Sequence, residues 1–418
     1  MSLTITLYAG CKLTSKYNQV FKDRNTMATY LGTVPHLDVY TGDDIYFTNS
    51  GTISIDNVGS GDIYGLYANS YANNAVTYGQ TSTATGTIDI NNIGDGNVYG
   101  IYTNYSAQNA AAYSPNSKAV GIIDITNIGN GNAYGLYSTD SFAFNTYVDQ
   151  GEATGIINIK NTGLGNAYGI RGRYSYNTTD INETSIIEII NASNSLAVGL
   201  YGLEAAYNEG TITIHNLANG TAVGVLTDAN GYIYNFGTIT IDRETYTDTD
   251  GTVYSADTAK GGLAIGIYGA QNSEIINQNT GKIIINDAQN AYGIYAETGS
   301  TVTNLGQIII DGNASHENAI KLNRGTLFQD GKLIIGANHQ SCSEGYILQN
   351  GLCYKKLICG AGYQVENECI CNDNAIKQSG ICYNIKDCGQ GSQLGNNCVC
   401  SSGYVWQDGI CYEEKSCG

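Results

Sequence analysis

Residues 86–92 read Gly-Thr-Ile-Asp-Ile-Asn-Asn, and residues 98–102 read Val-Tyr-Gly-Ile-Tyr. The Ile-x-Ile centre of the first phrase returns ten times: Ile53/Ile55, Ile88/Ile90, Ile123/Ile125, Ile157/Ile159, Ile187/Ile189, Ile212/Ile214, Ile239/Ile241, Ile283/Ile285, Ile308/Ile310 and Leu333/Ile335. Successive copies lie 35, 35, 34, 30, 25, 27, 44, 25 and 25 residues apart. Alternation places both apolar side chains on one face of a strand. A strand this short, repeated at this period, marks stacked units that each bury their apolar face against a neighbour. One of the shortest copies holds a whole turn of the stack, with strands expected at 282–286, 291–297 and 300–305. Three strands in ~25 residues fit one coil of a parallel β-helix. The expected fold is all-β: a solenoid of about ten coils at 51–340, an N-terminal cap or partial first coil at 1–50, and a small disulfide-rich hairpin tail at 341–418.

Aligning the copies exposes columns. Asn57, Asn92, Asn127, Asn161, Asn191 and Asn216 follow the isoleucines, and stacked amides at a turn can hydrogen-bond from rung to rung. Tyr64, Tyr99, Tyr134 and Tyr168 give way to Val198, Val223 and Ile265, which reads as a core column. Tyr67, Tyr102, Tyr137 and Tyr201 share theirs with Arg171 and Lys321, which reads as a column facing water. The longer copies carry extra residues at 68–85, 103–120 and 138–154, expected to gather on one side of the solenoid. They and the next copy supply the candidate ligand-binding residues: Tyr71, Tyr78, Tyr105, Tyr113, Phe142, Tyr147, Tyr174 and Tyr176. Tyrosine offers an apolar plane with a polar tip, which suits sugars or proteins. The competing reading makes these segments longer, irregular strands and loops with no ligand.

Composition narrows the classes. Gly (53) is abundant, Pro (2) is scarce, and Tyr (34) outnumbers Phe (6) and Trp (1), a bias toward sheets with tight turns. A net charge of −18 lacks the basic footprint of a nucleic-acid partner and disfavours anionic lipid. No run of apolar residues is long enough to span a bilayer, so no direct membrane insertion is expected of this segment.

Of 12 cysteines, Cys11 stands alone and the rest lie between Cys342 and Cys417. Cys342, Cys371 and Cys400 are 29 residues apart, as are Cys353, Cys382 and Cys411, and Cys359, Cys388 and Cys417. Such density implies a disulfide framework and an oxidising, extracytoplasmic compartment. Zinc is disfavoured, because the tail has neither Cys-x2-Cys knuckles nor histidine. Residues Tyr8-Ala9-Gly10-Cys11 faintly match a lipoprotein cleavage site, but without a basic leader they read as a partial first strand.

The position between the paired isoleucines holds Ser54, Asp89, Asp124, Asn158, Glu188, Thr213 and Thr240. Asp89 and Asp124 should stack one rung apart, as a solvated face, a cation site or an acid pair. The insertion at 243–262 contains Asp248-Thr249-Asp250-Gly251 and Asp257, half of a calcium loop without its later ligands. His36, His215, His316 and His339 are scattered with no nucleophile at motif distance.

The Gly-Thr-Ile-x-Ile and Ala-Tyr-Gly-Ile-Tyr repeats over 51–337 resemble bacterial autotransporter passenger and haemagglutinin-like adhesin domains. That resemblance implies a right-handed β-helix of the pectin-lyase type in an extracellular or cell-surface protein. It implies a non-enzymatic adhesin or structural stalk, with host or neighbouring-cell glycans or surface proteins as partners and no cofactor. A polysaccharide lyase or hydrolase on the same scaffold is the alternative, and a surface-coat component without a ligand is another. In the tail, the Cys-x-Cys step with Gly-Tyr and a closing cysteine resembles the C-terminal half of an epidermal growth factor-like module. Its pairing, carried over, implies Cys342–Cys353, Cys371–Cys382 and Cys400–Cys411. Extending it to the other half-units implies Cys359–Cys369 and Cys388–Cys398. Cys417 is then left without a partner, so further repeats are expected beyond Gly418.

Overall fold

Isoleucine lies over isoleucine through the stack. In parallel register, Ile53 pairs with Ile88, Ile88 with Ile123, Ile123 with Ile157, and Ile157 with Ile187. The series runs on through Ile212, Ile239, Ile283 and Ile308 to Leu333. The computed structural model describes residues 3–8, 26–32, 37–38, 46–335 and 346–413, apart from short stretches within the last two spans. The chain divides into two units, Met1–His339 and Gln340–Gly418. Every regular element among the described residues is a β-strand.

The first unit is a parallel β-helix with three faces. Its first sheet has 12 strands, one per coil, and every pairing is parallel. Ahead of the ten Ile-x-Ile strands it contains Leu3–Tyr8 and Thr26–Gly32, so residues assigned to a cap or partial coil add two rungs. The other two faces merge into an 18-stranded sheet. Long strands cause the merger: Ala167–Asn177 pairs with both Ala133–Ser138 and Phe142–Val148, turning the corner without a break. The shortest coil has strands Lys282–Asn286, Ala288–Ala296 and Ser300–Asn304, close to the expected division.

The core is one continuous aliphatic cluster from Ile53 to Ala319. Each Ile-x-Ile pair is at most 3% exposed up to Ile310, and burying such a side chain stabilises by about 1.5–3 kcal/mol. The second face contributes through a kinked strand. In Val98–Thr103, Val98 and Ile101 enter the core while Tyr99 and Tyr102 leave it, so strict alternation breaks at Gly100. A Cβ on Gly100 would meet Ile123 Cγ2 at 2.5 Å and the Gly135 carbonyl at 2.6 Å, so only glycine fits this corner.

Extra residues in the long coils form regular structure instead of loops. They supply third-face strands Tyr71–Thr77, Ser106–Ala112 and Phe142–Val148, and lengthen first-sheet strands to Thr83–Asn92, Lys118–Asn127 and Glu152–Asn161. Between the two lies a second, alanine-lined cluster of Ala75, Ala84, Ala110, Ala112, Ala119 and Ala153. Methyl-sized side chains let the two faces approach closely.

Two amide ladders run along the solenoid, the first at the turn after the first-sheet strands and the second largely within or at the ends of third-face strands. The expected one links Asn57 to Asn92 (2.8 Å), Asn92 to Asn127 (2.9 Å), Asn127 to Asn161 (3.0 Å), Asn161 to Asn191 (3.5 Å) and Asn191 to Asn216 (3.1 Å). The second is longer. It passes from Asn49 through Asn74, Asn109, Asn145, Asn177, Asn208, Asn235 and Asn277 to Asn304 and Gln329, with steps of 2.7–3.1 Å. Each rung also fastens the chain beside it, as Asn109 does by donating to the Gly121 carbonyl at 3.0 Å. Buried amides thus satisfy one another and nearby backbone carbonyls together.

The second unit is a series of two-stranded antiparallel hairpins, from Tyr346–Gln349 with Leu352–Lys355 to Tyr404–Gln407 with Ile410–Glu413. Disulfides join Cys359–Cys369, Cys371–Cys382, Cys388–Cys398 and Cys400–Cys411. Contacts between hairpins recur at the 29-residue period: Cys382 N–H donates to Cys359 O, and Cys411 N–H to Cys388 O. Cys342, Cys417 and the side chain of Cys353 fall outside the described residues, as do residues 9–11 and the carboxylates of Asp248, Asp250 and Asp257.

Candidate functional site

Aromatic rings pave the outside of the second face. Tyr64, Tyr99, Tyr134 and Tyr168 stack at 4.9 Å per step, within 6° of parallel. Tyr67, Tyr102 and Tyr137 stack beside them at 5.3 and 5.2 Å, meeting the first column edge-on. The inner column was expected in the core, and Tyr64, Tyr99, Tyr134, Val198, Val223 and Ile265 are all buried, though in clusters of their own outside the aliphatic spine. Its rings form a cluster separate from the aliphatic spine and are buried (6–9% exposed for the first three) by one another. The strand kink at glycine sends both tyrosines of each Tyr-Gly-x-Tyr outward. Val198, Val223 and Ile265 continue the same exterior strip beneath Leu196, Tyr201, Leu226, Leu263 and Tyr268. Burial, reinforced by neighbouring phenols, raises the Tyr99 hydroxyl well above its ordinary range and pushes Tyr176 up to about 12.

Arg171 takes a tyrosine's place in the outer column, 5.3 Å from the Tyr137 ring and 5.2 Å from Tyr201. Its guanidinium fills the position as a flat cation between two π faces. Lys321 ends the described column, 4.7 Å from the Tyr295 ring.

The third face collects the eight candidate residues. At the turn, Tyr78 stacks on Tyr113 at 5.1 Å, and Tyr113 meets Tyr147 at 5.3 Å with the rings tilted by 40°. Tyr147 meets Phe144 edge-on (5.7 Å), and Phe144 stacks on Tyr176 (4.6 Å), which continues to Tyr207 (4.8 Å) and Tyr234 (5.0 Å). Phe142 packs on Tyr174 at 5.3 Å, and Tyr71 meets Tyr105 edge-on at 5.2 Å. Phe144, Tyr207 and Tyr234 were missed in the sequence. Each directly precedes an asparagine of the second ladder, and that Phe/Tyr-Asn pairing is the signal that would have found them.

These contacts change what the surface can offer. A ring inside a parallel stack has both faces covered by its neighbours, so the columns present edges and hydroxyls instead of open planes. Open area is concentrated at Tyr78 (63% exposed), Tyr105 (44%) and Tyr147 (37%), with Tyr232 (47%) further along. Arg173 pairs with Glu204 at 2.6 Å, and the Tyr174 hydroxyl donates to the same carboxylate at 2.5 Å. Hydrogen bonds from Arg173 and Tyr174 hold Glu204 below the usual carboxylate range.

On the first face, Asp89 and Asp124 pair in register as expected. Asn158 donates to Asp124 at 2.6 Å. Partial desolvation, then the charges of Asp124 and Asp56, raise Asp89 above its ordinary value. Among the described residues no set of three His, Cys, Asp or Glu side chains is arranged to hold a metal ion.

One titratable cluster was not anticipated. His215 Nδ1 lies 2.6 Å from Asp242 Oδ1 and its Nε2 lies 3.3 Å from Glu188 Oε1. Its partners come from the rungs before and after, so local spacing hid them; Asp242 is directly opposite in register and Glu188 is diagonal. Burial alone would lower the imidazole, but hydrogen bonds to Asp242 and Glu188 and their charges push it up to about 9. It is therefore a cation at neutral pH, and both carboxylates are engaged in holding it.

Residues 218–341 match the family model described as the BigA third pectate lyase-like domain. No curated protein matches the chain, and no solved structure does. The matched stretch covers the later coils of the first unit, so the solenoid is similar to a pectate-lyase-like β-helix there.

Proposed function

We propose that this chain is a non-enzymatic, extracellular or surface-exposed binding protein whose solenoid carries an aromatic strip for a glycan partner. The observation that supports it most is the open aromatic area at one end of the third face, where Tyr78 and Tyr147 flank Tyr113 on three consecutive coils. Exposed aromatic area on a rigid scaffold costs solubility and carries binding energy cheaply, because tyrosine has few rotors to immobilise. Disulfides in the second unit support an oxidising location. Similarity of residues 218–341 to a pectate lyase-like domain supports polysaccharide as the partner class.

The same similarity favours a second reading, an enzyme that cleaves an acidic polysaccharide. Such chemistry needs a carboxylate or base free to take a proton. The nearest assembly, Glu188–His215–Asp242, instead binds its proton tightly between two carboxylates.

The test is a glycan array with the full chain and a Tyr78→Ala/Tyr147→Ala variant. Binding should be retained by the parent and fall about tenfold or more in the variant, the scale of losing one to two ring contacts. Undiminished binding by the variant would refute the strip. Shortening of a uronate polymer by the parent chain would establish the enzyme reading instead.

A further inference from the structure

The last described coil of the solenoid departs from the burial pattern of the coils before it. Val302 and Ile308 are fully buried, as are Ile275 and Ile283 in the rung before them. Leu327 and Leu333 continue those two columns in the last coil, yet they are 47% and 37% exposed. Their strands, Gly325–Gln329 and Lys332–Ile335, are paired with the preceding coil along one edge. Among the described residues, no strand pairs with the other edge. Every residue of Gly325–Gln329 is exposed. Bare core beside unpaired backbone is a template for another strand.

The sequence of that strand says which partner fits it. Residues 324–330 read Arg-Gly-Thr-Leu-Phe-Gln-Asp. An antiparallel partner of the same sequence, centred on Leu327, sets Arg324 opposite Asp330 at both ends. Arg324 and Asp330 are both exposed. The same register sets Thr326 opposite Phe328 twice, on the outward side, where Phe328 is 57% exposed. Aromatic and β-branched residues facing each other across antiparallel strands stabilise the pair. Leu327 meets its own counterpart on the inward side, extending the Val302 column by one more layer. Gly325 faces Gln329, the last described amide of the second ladder, and leaves that side chain room. Any other register separates both charge pairs, and a slip by one residue also turns the leucine outward.

We infer that this end of the solenoid docks a second copy of itself, through antiparallel pairing of Gly325–Gln329 about Leu327. The two-fold makes each contact occur twice, as a self-complementary interface requires. On the reading proposed above, the dimer would carry two aromatic strips and grip a polymeric glycan by avidity. The pairing itself stands without that reading.

Sedimentation equilibrium of the full chain over a micromolar concentration series, with hydrogen exchange on the same samples, tests this. The parent should reach twice the mass of one chain, and exchange across 325–334 should slow about tenfold or more as it does so. Asp330→Arg sets like charges against each other at both ends and should weaken association about tenfold or more. Arg324→Asp should do the same. The double variant Arg324→Asp/Asp330→Arg restores both pairs with their signs exchanged, and should associate within about threefold of the parent. A parent that stays monomeric overturns the inference. So does a monomer whose 325–334 segment is already protected, because the chain's own residues then cover this end. A dimer indifferent to the single swaps, or not restored by the double one, overturns it too. If a variant fails to fold, the parent's concentration-dependent protection of 325–334 decides.

Discussion

The two units hold β-structure by opposite means. In the first, the interior is a ladder of aliphatic side chains and amides, each rung covered by the next. In the second, the buried hydrophobic groups among the described residues are cysteines: Cys359, Cys369 and Cys382 form a cluster, with Ala361, Cys371 and Ala375 against it. A stack can share one core among many coils, so each coil needs only a few isoleucines. A two-stranded hairpin buries too little to stand alone, and a covalent link replaces the missing core. The difference teaches where each unit fails: the solenoid through a rung, the hairpin array through a bond.

The largest expected effect separates the units directly. Each described disulfide closes a span of 10 or 11 residues, worth about 3 kcal/mol in the chain-entropy account. Four such links approach the whole stability of a small domain, ~5–15 kcal/mol. Reduction under native conditions should therefore abolish exchange protection across 359–413 while leaving 52–311 protected. A solenoid that loosened on reduction, or a tail that kept its protection, would break the contrast.

A smaller effect probes the solenoid's own weak point. Asn109 is fully buried; it accepts from Asn74 and donates to Asn145 and to the Gly121 carbonyl, each at 3.0 Å. Asn109→Leu keeps the volume but removes a rung of the amide ladder, leaving the Asn145 oxygen and the Gly121 carbonyl short of a donor. The cost should be about 2–4 kcal/mol, read as a fall in denaturation midpoint of the solenoid transition. The tail's reductive unfolding should not move. A cost under 1 kcal/mol would mean that the ladder is decoration on the aliphatic spine.

How far the sequence disclosed this depends on how local each signal is. The isoleucine spine and the first asparagine ladder were legible because both sit at constant distance within one phrase, as in Ile88-x-Ile90-x-Asn92. The second ladder was hidden by variable spacing: Asn74 lies 12 residues before Gly86, whereas Asn235 lies 2 before Gly237. The burial of Tyr64 was legible from its column's replacement by Val198, Val223 and Ile265, but its separation from the aliphatic spine depends on the kink at Gly65. His215 was overlooked because its partners are 27 residues away on either side, a distance that is adjacent only after coiling. Local rules thus gave the rung, while contacts between rungs needed the register.

The finest distinction within the solenoid concerns Arg171, the one cation inside a described tyrosine column. If the column is held by stacked planes, an aromatic ring should serve as well as the guanidinium. Arg171→Tyr would extend Tyr102–Tyr137 toward Tyr201 and remove an Nε that has no hydrogen-bond partner in its buried position. The stability change should be within about 1 kcal/mol. Arg171→Ala opens a gap between Tyr137 and Tyr201 and should cost about 1–2 kcal/mol, combining a lost cation–π pair with lost cover for Tyr168. Thermal midpoints of the two variants decide between shape and charge. A tyrosine substitution as harmful as alanine would show that the positive charge is required, offsetting part of the chain's net −18 at this face.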